Sequence, residues 1–380
     1  MLASGPIIVV AIGLLILSMP TPRDATSSKQ GLRGFDWIGG TLSVCWPIPL
    51  IFALQEGGIH YEWSSGTIIG TLATAAILLS LFSLYEAWAS YKTKVDVIFP
   101  ARFITDPQSA LLLFSMFLLG MPFSVMFIQL PQRFQGVNFT SAERAGILLL
   151  PVSLLTPVGA MVGGALNARK VPAEYLLLTG TAVISIGTGL LSSLSVESSI
   201  SPITYGYEVI IGFGLGLASS PYFIILYTCV EEKDAPVGTG ILNMLRTLGG
   251  AVAIAVCSAL HNTVWRDKSL AFLSPAEIAG AKSSGTSIAQ LPQQSRLELG
   301  RAFGRSYNKQ FKVIMAFTVL NFAVAILLSV VRKRKGAFGK LPIRREENEF
   351  MKTVEKVELK TDKQGASKAT ESCHEAVSMP

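Results

Sequence analysis

Apolar residues along this chain gather in blocks of about 17 to 25, separated by short polar loops, a spacing that predicts membrane-crossing helices. A soluble helix of that length turns a polar face outward at every turn, and these blocks do not. The blocks are Gly5–Met19, Trp37–Leu54, Gly66–Trp88, Ser109–Leu130, Ala145–Leu166, Tyr175–Leu194, Ile203–Cys229, Val237–Leu260 and Phe311–Val331. Pro47, Pro49, Pro122, Pro151, Pro157 and Pro221 interrupt several of them. Membrane bundles tolerate such kinks because neighbouring helices re-satisfy the freed backbone groups. The pattern predicts an all-α, multi-pass transmembrane helix bundle of about nine spans. It divides into a first span and linker (1–35), two further spans (36–107), a six-helix bundle (108–335) and a polar tail (336–380) expected to be disordered.

Charge adds an orientation. Gly5–Met19 lacks a basic residue before it, so it reads as a span rather than a signal peptide. Basic residues cluster in alternate loops: Arg23, Lys29 and Arg33; Lys92, Lys94 and Arg102; Arg169 and Lys170; then Arg332 to Lys335. Those loops are expected on the cytoplasmic side, with the C-terminus. Two loops resist this rule: the acidic Glu231–Asp234, and 261–310, which is expected outside yet holds several basic residues. Arg332 to Lys335 reads as a flank that ends a span, with a lipid-headgroup contact as the alternative. Glu86, Tyr85 and Trp88 read as an interfacial anchor. Asn138-Phe139-Thr140 is a glycosylation sequon on a loop expected outside.

Much chemistry is excluded. The chain has 380 residues, 15% of them charged, and four cysteines with no C-x-x-C pair. Its three histidines are scattered, so no metal site and no cofactor are expected. No phosphate-binding loop of the P-loop type and no nucleophile elbow is present, and no enzyme activity is expected. Nucleic acid is not an expected partner. Gly212, Gly214 and Gly216 lie in mid-span, where glycines favour close helix packing over dinucleotide binding. Gly159, Gly163 and Gly250 read the same way.

Few charges lie inside spans, and Arg246 is the deepest. On a helix it shares a face with Thr239, Asn243, Gly250, Ala253 and Cys257, opposite Ile241, Leu245, Leu248, Val252 and Val256. Two readings stand: an arginine that ties helices together, and a group on a transport path. Glu208 is its candidate partner by depth, and a proton carrier if buried; snorkelling to the outer headgroups is the alternative. Gln129 and Tyr207 are milder polar candidates for the path, with packing or interface roles as the alternative.

Several stretches are similar to a known family. GLRGFDWIGGTL, ALQEGG and YEWSSGTIIG resemble the two extra central spans of the 14-span drug:proton antiporters of the major facilitator superfamily. IQLPQRFQGVNFTSAERAGILLLP resembles the start of that family's C-terminal half. YGYEVIIGFGLGL and VEEKDAPVGTGILNMLRTLGGAVAIAV resemble two helices near its end. GGALNARK resembles a cytoplasmic-loop motif, with Arg169 at its basic position and the acidic partner missing. The ordered set resembles fungal toxin and multidrug exporters. The resemblance implies that Gly5–Met19 corresponds to a sixth helix, with the first five absent, so that an N-terminal half or another chain completes the transporter. It implies a lipid-embedded exporter of small amphipathic organic compounds, exchanged for protons, in the plasma membrane or the vacuolar membrane. The alternatives are a truncated, non-transporting remnant or partner-binding membrane protein, and an uptake carrier for a siderophore or nutrient.

Overall fold

A computed structural model of the protein describes residues 36–58, 61–92, 102–197, 199–231, 234–262, 264 and 292–339. The expected span Gly5–Met19 and the tail from 340 lie outside the described residues. Among the described residues, eight helical stretches are long and apolar enough to cross a membrane. Two of them are broken. The first comprises α1 (Trp37–Cys45) and α2 (Pro47–Glu56), interrupted at Trp46. Later, α6 (Ala142–Leu148) and α7 (Leu150–Ala168) are interrupted at Leu149. In each case a proline lies just beyond the break, Pro47 and Pro151, and neither has an N–H to return to the preceding turn.

The described residues fall into two compact units. One is built on residues 36–48 and 74–92. In it Asp36 caps α1, accepting from the Gly39 amide at 2.8 Å, and Tyr85 of α3 (Gly66–Lys92) donates to the same carboxylate at 2.7 Å. Glu86 is buried there, which corrects the reading of Glu86 as an interfacial anchor. Its place against Gly39 holds it in the protein, while Trp88 remains exposed. Along α3 large apolar side chains are exposed over most of the surface, among them Ile77, Leu84 and Trp88, as a lipid-facing helix requires, while Ala75, Phe82 and Ala89 form a buried stripe.

The other unit holds residues 49–73 and the described residues from Arg102 onward. Its long helices are α5 (Pro107–Val137), α6 with α7, α8 (Ala173–Leu191), α9 (Ile203–Cys229), α10 (Ala235–Asn262) and α11 (Gln293–Arg334), with the short α4 (Arg102–Thr105) before α5. Helix α9 packs between α7 and α8, α5 packs between α10 and α11, and α8 against α11 joins the two triplets. Small residues set these distances. A methyl on Gly216 would overlap the Thr156 carbonyl of α7, and one on Gly249 would overlap the Phe117 carbonyl of α5. Without a hydrophobic drive between helices in lipid, such backbone approach is a main source of association.

Helix α11 is longer than its apolar block. At 42 residues it is about 60 Å long, roughly twice the hydrocarbon thickness. Hydropathy marks only 311–331 because residues 293–310 carry arginine and lysine. That segment is an amphipathic helix: Leu299, Phe303, Tyr307 and Gln310 are buried, while Arg301, Arg305 and Lys309 are exposed. The segment expected as loop up to residue 310 is therefore helical from Gln293.

Candidate functional site

The candidate transport residues occupy three places rather than one. Arg246 is half-buried on α10, with its guanidinium 5.0 Å from the ring centre of Phe123 on α5. The two helices meet closely here. A methyl on Gly120 would overlap the Arg246 carbonyl, and one on Gly250 would overlap the Ser124 hydroxyl. The arginine is thus held by an aromatic face, a contact that leaves its N–H groups open to other partners. Asn243, one turn earlier, donates to its own helix at the Thr239 carbonyl (3.0 Å), and Thr239 donates to the Ala235 carbonyl (2.8 Å). The polar face of α10 is real, but its smaller members bond within their own helix. The opposite face is not uniformly lipid-like, since Ile241 is buried.

Glu208 is fully buried on α9, and neither carboxyl oxygen has a hydrogen-bond partner. It is packed against the start of α7. The amide of Ser153 is the first there to bond back, to Leu149, so the Val152 amide belongs to the unsatisfied first turn. That amide approaches the Glu208 carboxyl without completing a hydrogen bond. Gly212, one turn on, permits the approach: a methyl there would lie 2.6 Å from the Val152 carbonyl. The break at Leu149 thus turns a helix N-terminus toward a buried acid.

Glu208 and Arg246 form no ion pair. Matching depth suggested a pair, but α9 lies against α7 and α8 while α10 lies against α5. The two side chains therefore face different neighbours. Gln129 is buried on α5, and Tyr207 is half-buried beside Glu208. The glycines lie at helix crossings: Gly159 against Phe213, Gly163 against Leu217, Gly212 against Val152, Gly214 against Ile184 and Gly216 against Thr156. Asn138 ends α5 as its C-cap.

Two polar clusters carry no mark in an apolar-run reading. Ser115 of α5 donates to Asn321 of α11 at 2.6 Å and lies 2.8 Å from the Tyr222 hydroxyl of α9; all three are buried. At the end of the bundle where α5 and α8 begin, Arg332 and Glu174 form an ion pair at 2.6 Å, each side chain 1% exposed. The same guanidinium donates to Thr228 (3.0 Å), Cys229 (3.0 Å), Gln108 (3.5 Å) and the Ala337 carbonyl (2.8 Å), while the Gly339 amide donates to Glu174 (3.2 Å). Arg332 is therefore not a free basic flank, and residues 336–339 are an ordered turn that closes over the pair. Asn321 is the one side-chain amide in the apolar block Phe311–Val331, which is the signal that was there to read.

Comparison with known proteins decides the family. No family model matches the chain. The MFS-type transporter FPY5 of Fusarium mangiferae is 34% identical over 311 residues, which is 81% of this chain and 52% of that protein. The rubrofusarin-specific efflux pump aurT of Gibberella zeae is 30% identical over 283 residues, 74% of this chain and 51% of the pump. The chain belongs to the major facilitator superfamily. The acetylaranotin efflux transporter ataA of Aspergillus terreus is 30% identical over 256 residues, 67% of this chain and 55% of that transporter. This facilitator chain spans about half the length of the curated relatives it matches. With its apolar helices, the family makes it an integral, multi-pass membrane protein. The relatives are transporters and efflux pumps, not enzymes.

Proposed function

We propose that this facilitator chain exports small amphipathic organic compounds of the fungal secondary-metabolite kind in exchange for protons, at the plasma membrane with its C-terminus cytoplasmic. The observation that carries the reading is Glu208: an acid wholly buried in the bundle, facing an unsatisfied amide and no cation. Its relatives are named as efflux pumps. Buried intramembrane acids mark proton and substrate pathways. In this mechanism the closed site holds Glu208 protonated. Opening admits water or a cation, and the carboxyl then releases its proton. Arg246 offers a fixed positive charge and Phe123 an apolar ring, a pairing suited to a substrate with one polar and one apolar end. Alternating access in this superfamily uses two bundles about a midplane site, and this reading takes the packed helices from α5 to α11 as one of them.

The test is accumulation of a fluorescent amphipathic dye in yeast lacking its own efflux pumps. Cells expressing the chain are expected to retain less dye than vector controls, with the difference abolished by a protonophore and by Glu208→Gln. Dye retention equal to the control, with the chain present in the membrane, overturns export. Export that survives Glu208→Gln with unchanged pH dependence overturns the role of Glu208.

A further inference from the structure

A second site lies at the opposite end of the six-helix bundle from Arg332. Arg133, near the end of α5, is 3% exposed and lines a small cavity of about 10 Å³, room for a single small occupant. The cavity is walled by Arg133, Asn138, Ser195, Ser199, Ser201 and Thr204, together with apolar residues. The arginine donates from Nη2 to the Ser195 carbonyl at 2.7 Å, and its buried Nε–H has no partner. Among the described residues no carboxylate is within ion-pair distance of it. Glu143 and Glu197 are exposed, Glu298 pairs with Arg301 at 3.3 Å, and Glu208, one turn beyond Thr204, is not bonded to it.

Three backbone acceptors around this cavity are taken. Ser195 O takes Arg133, Leu194 O takes the Asn308 amide at 2.7 Å, and Ser201 O takes the Thr204 amide at 3.0 Å. The donors are not. The hydroxyl of Ser195 accepts from the Glu197 amide at 3.2 Å, which leaves its O–H free to donate. Those of Ser199, Ser201 and Thr204 add three more donors at the wall. The first turn of the 27-residue helix α9 begins at the same wall and brings its positive end. A buried guanidinium with hydroxyl donors beside it, a helix N-terminus at the same wall and no carboxylate in reach favours a negative charge.

We propose that this cavity binds a single small inorganic anion, of the size and charge of chloride, which neutralises Arg133 and locks the end of α5 to the α8–α9 connection. Ser195 and Thr204 belong to that connection and to the start of α9, so an anion held by both ties three elements at one point. The proposal is independent of the export reading, since it concerns binding and stability rather than flux.

The test compares thermal unfolding of the detergent-purified protein in sodium chloride and in sodium gluconate at equal ionic strength. Chloride is expected to raise the wild-type midpoint saturably. Arg133→Gln is expected to lose that shift, and Arg133→Lys to keep part of it. Asn138→Asp places a carboxylate at the cavity wall; it is expected to melt higher than wild type in gluconate and to respond little to chloride. Thr140→Ala removes the sequon without changing the cavity wall, and is expected to respond as wild type does. A wild-type midpoint identical in the two salts overturns the proposal, leaving water as the occupant. A full chloride shift in Arg133→Gln overturns it as well. Should Arg133→Gln fail to fold, an undiminished chloride shift in Asn138→Asp is equally decisive against it.

Discussion

Arg332 and Arg133 are both almost wholly buried in one bundle, at its two ends, and they are held in opposite ways. Arg332 meets a carboxylate, two side-chain oxygens, a thiol and a carbonyl. Arg133 meets one carbonyl. The bundle contains the same contrast in its acids: Glu174 is paired and capped by the Gly339 amide, while Glu208 has no partner for either oxygen. A charge removed from water costs several kcal/mol unless its partners restore what water gave. The saturated pair is a fastening. The unsaturated groups are where something else, a proton or an ion, is expected to come and go. One end of the bundle is therefore closed on itself, and the other is the one we propose binds.

The fastening gives the largest expected effect. Glu174→Gln leaves the Arg332 guanidinium buried without its counter-charge, and should cost about 3–5 kcal/mol of stability. Unfolding in mixed detergent micelles measures it. Replacing both partners by apolar residues is expected to recover most of the loss, because breaking a pair is far worse than removing it. A single variant as stable as wild type would erase the distinction between the two ends.

The buried hydroxyl cluster between them ranks next. Tyr222→Phe removes the group that meets both Ser115 (2.8 Å) and Asn321 (3.4 Å), at an expected cost of about 1–2 kcal/mol in the same assay. Ser115 and Asn321 still have each other at 2.6 Å, which limits the loss. A loss as large as that of Glu174→Gln would mean that the cluster, not the ion pair, is the main fastening.

How much of this was legible follows from what hydropathy measures. The long helices follow from the apolar blocks, because length and apolarity are all that crossing lipid requires. Partnership is another matter. Arg332 read as one of four basic residues ending a span, and Glu174 fell one residue before the apolar block at Tyr175. Nothing in one dimension brings residues 174 and 332 together. The segment before Phe311 was missed for the opposite reason: its helix is amphipathic, and its charges hid a regular buried stripe. Glu208 and Arg246 were visible as isolated charges in apolar runs, and that signal found them. Their pairing rested on depth alone, and depth says nothing about which neighbour a helix faces. The cavity at Arg133 draws on α5, the α8–α9 connection and the start of α9, and no spacing announces it.

Glu208→Gln sharpens the contrast from the unsaturated side. The carboxyl has no bonded partner to lose, so this variant should change stability by less than about 1 kcal/mol while abolishing proton-coupled dye export. The measurement pairs the unfolding assay with transport. A stability loss comparable to that of Glu174→Gln would show that Glu208 is a fastening too, and the division between the two kinds of buried charge would fall.

The smallest effect separates burial from mere pairing. Beside the Arg332 cluster, Lys335 meets Asp106 at 2.5 Å, but its side chain is 43% exposed and that of Asp106 29%. Partial burial pushes the Asp106 carboxyl up, yet the Lys335 ammonium and the Ser109 amide and hydroxyl outweigh it and hold the group below its ordinary 3.8. A carboxyl depressed in the folded state contributes stability above its ordinary value and loses it as pH falls through the folded one. Lys335→Met should therefore lower stability near neutral pH by well under about 1 kcal/mol, since water screens so open a pair. The difference from wild type should shrink to nothing well below pH 4, where Asp106 is protonated in both. Melting midpoints of the two proteins across that range check it. A difference that persists in acid would assign the effect of Lys335 to packing against the turn rather than to charge. A difference as large as that of Glu174→Gln would show that adjacency to the cluster, not removal from water, is what makes a charge pair hold this bundle.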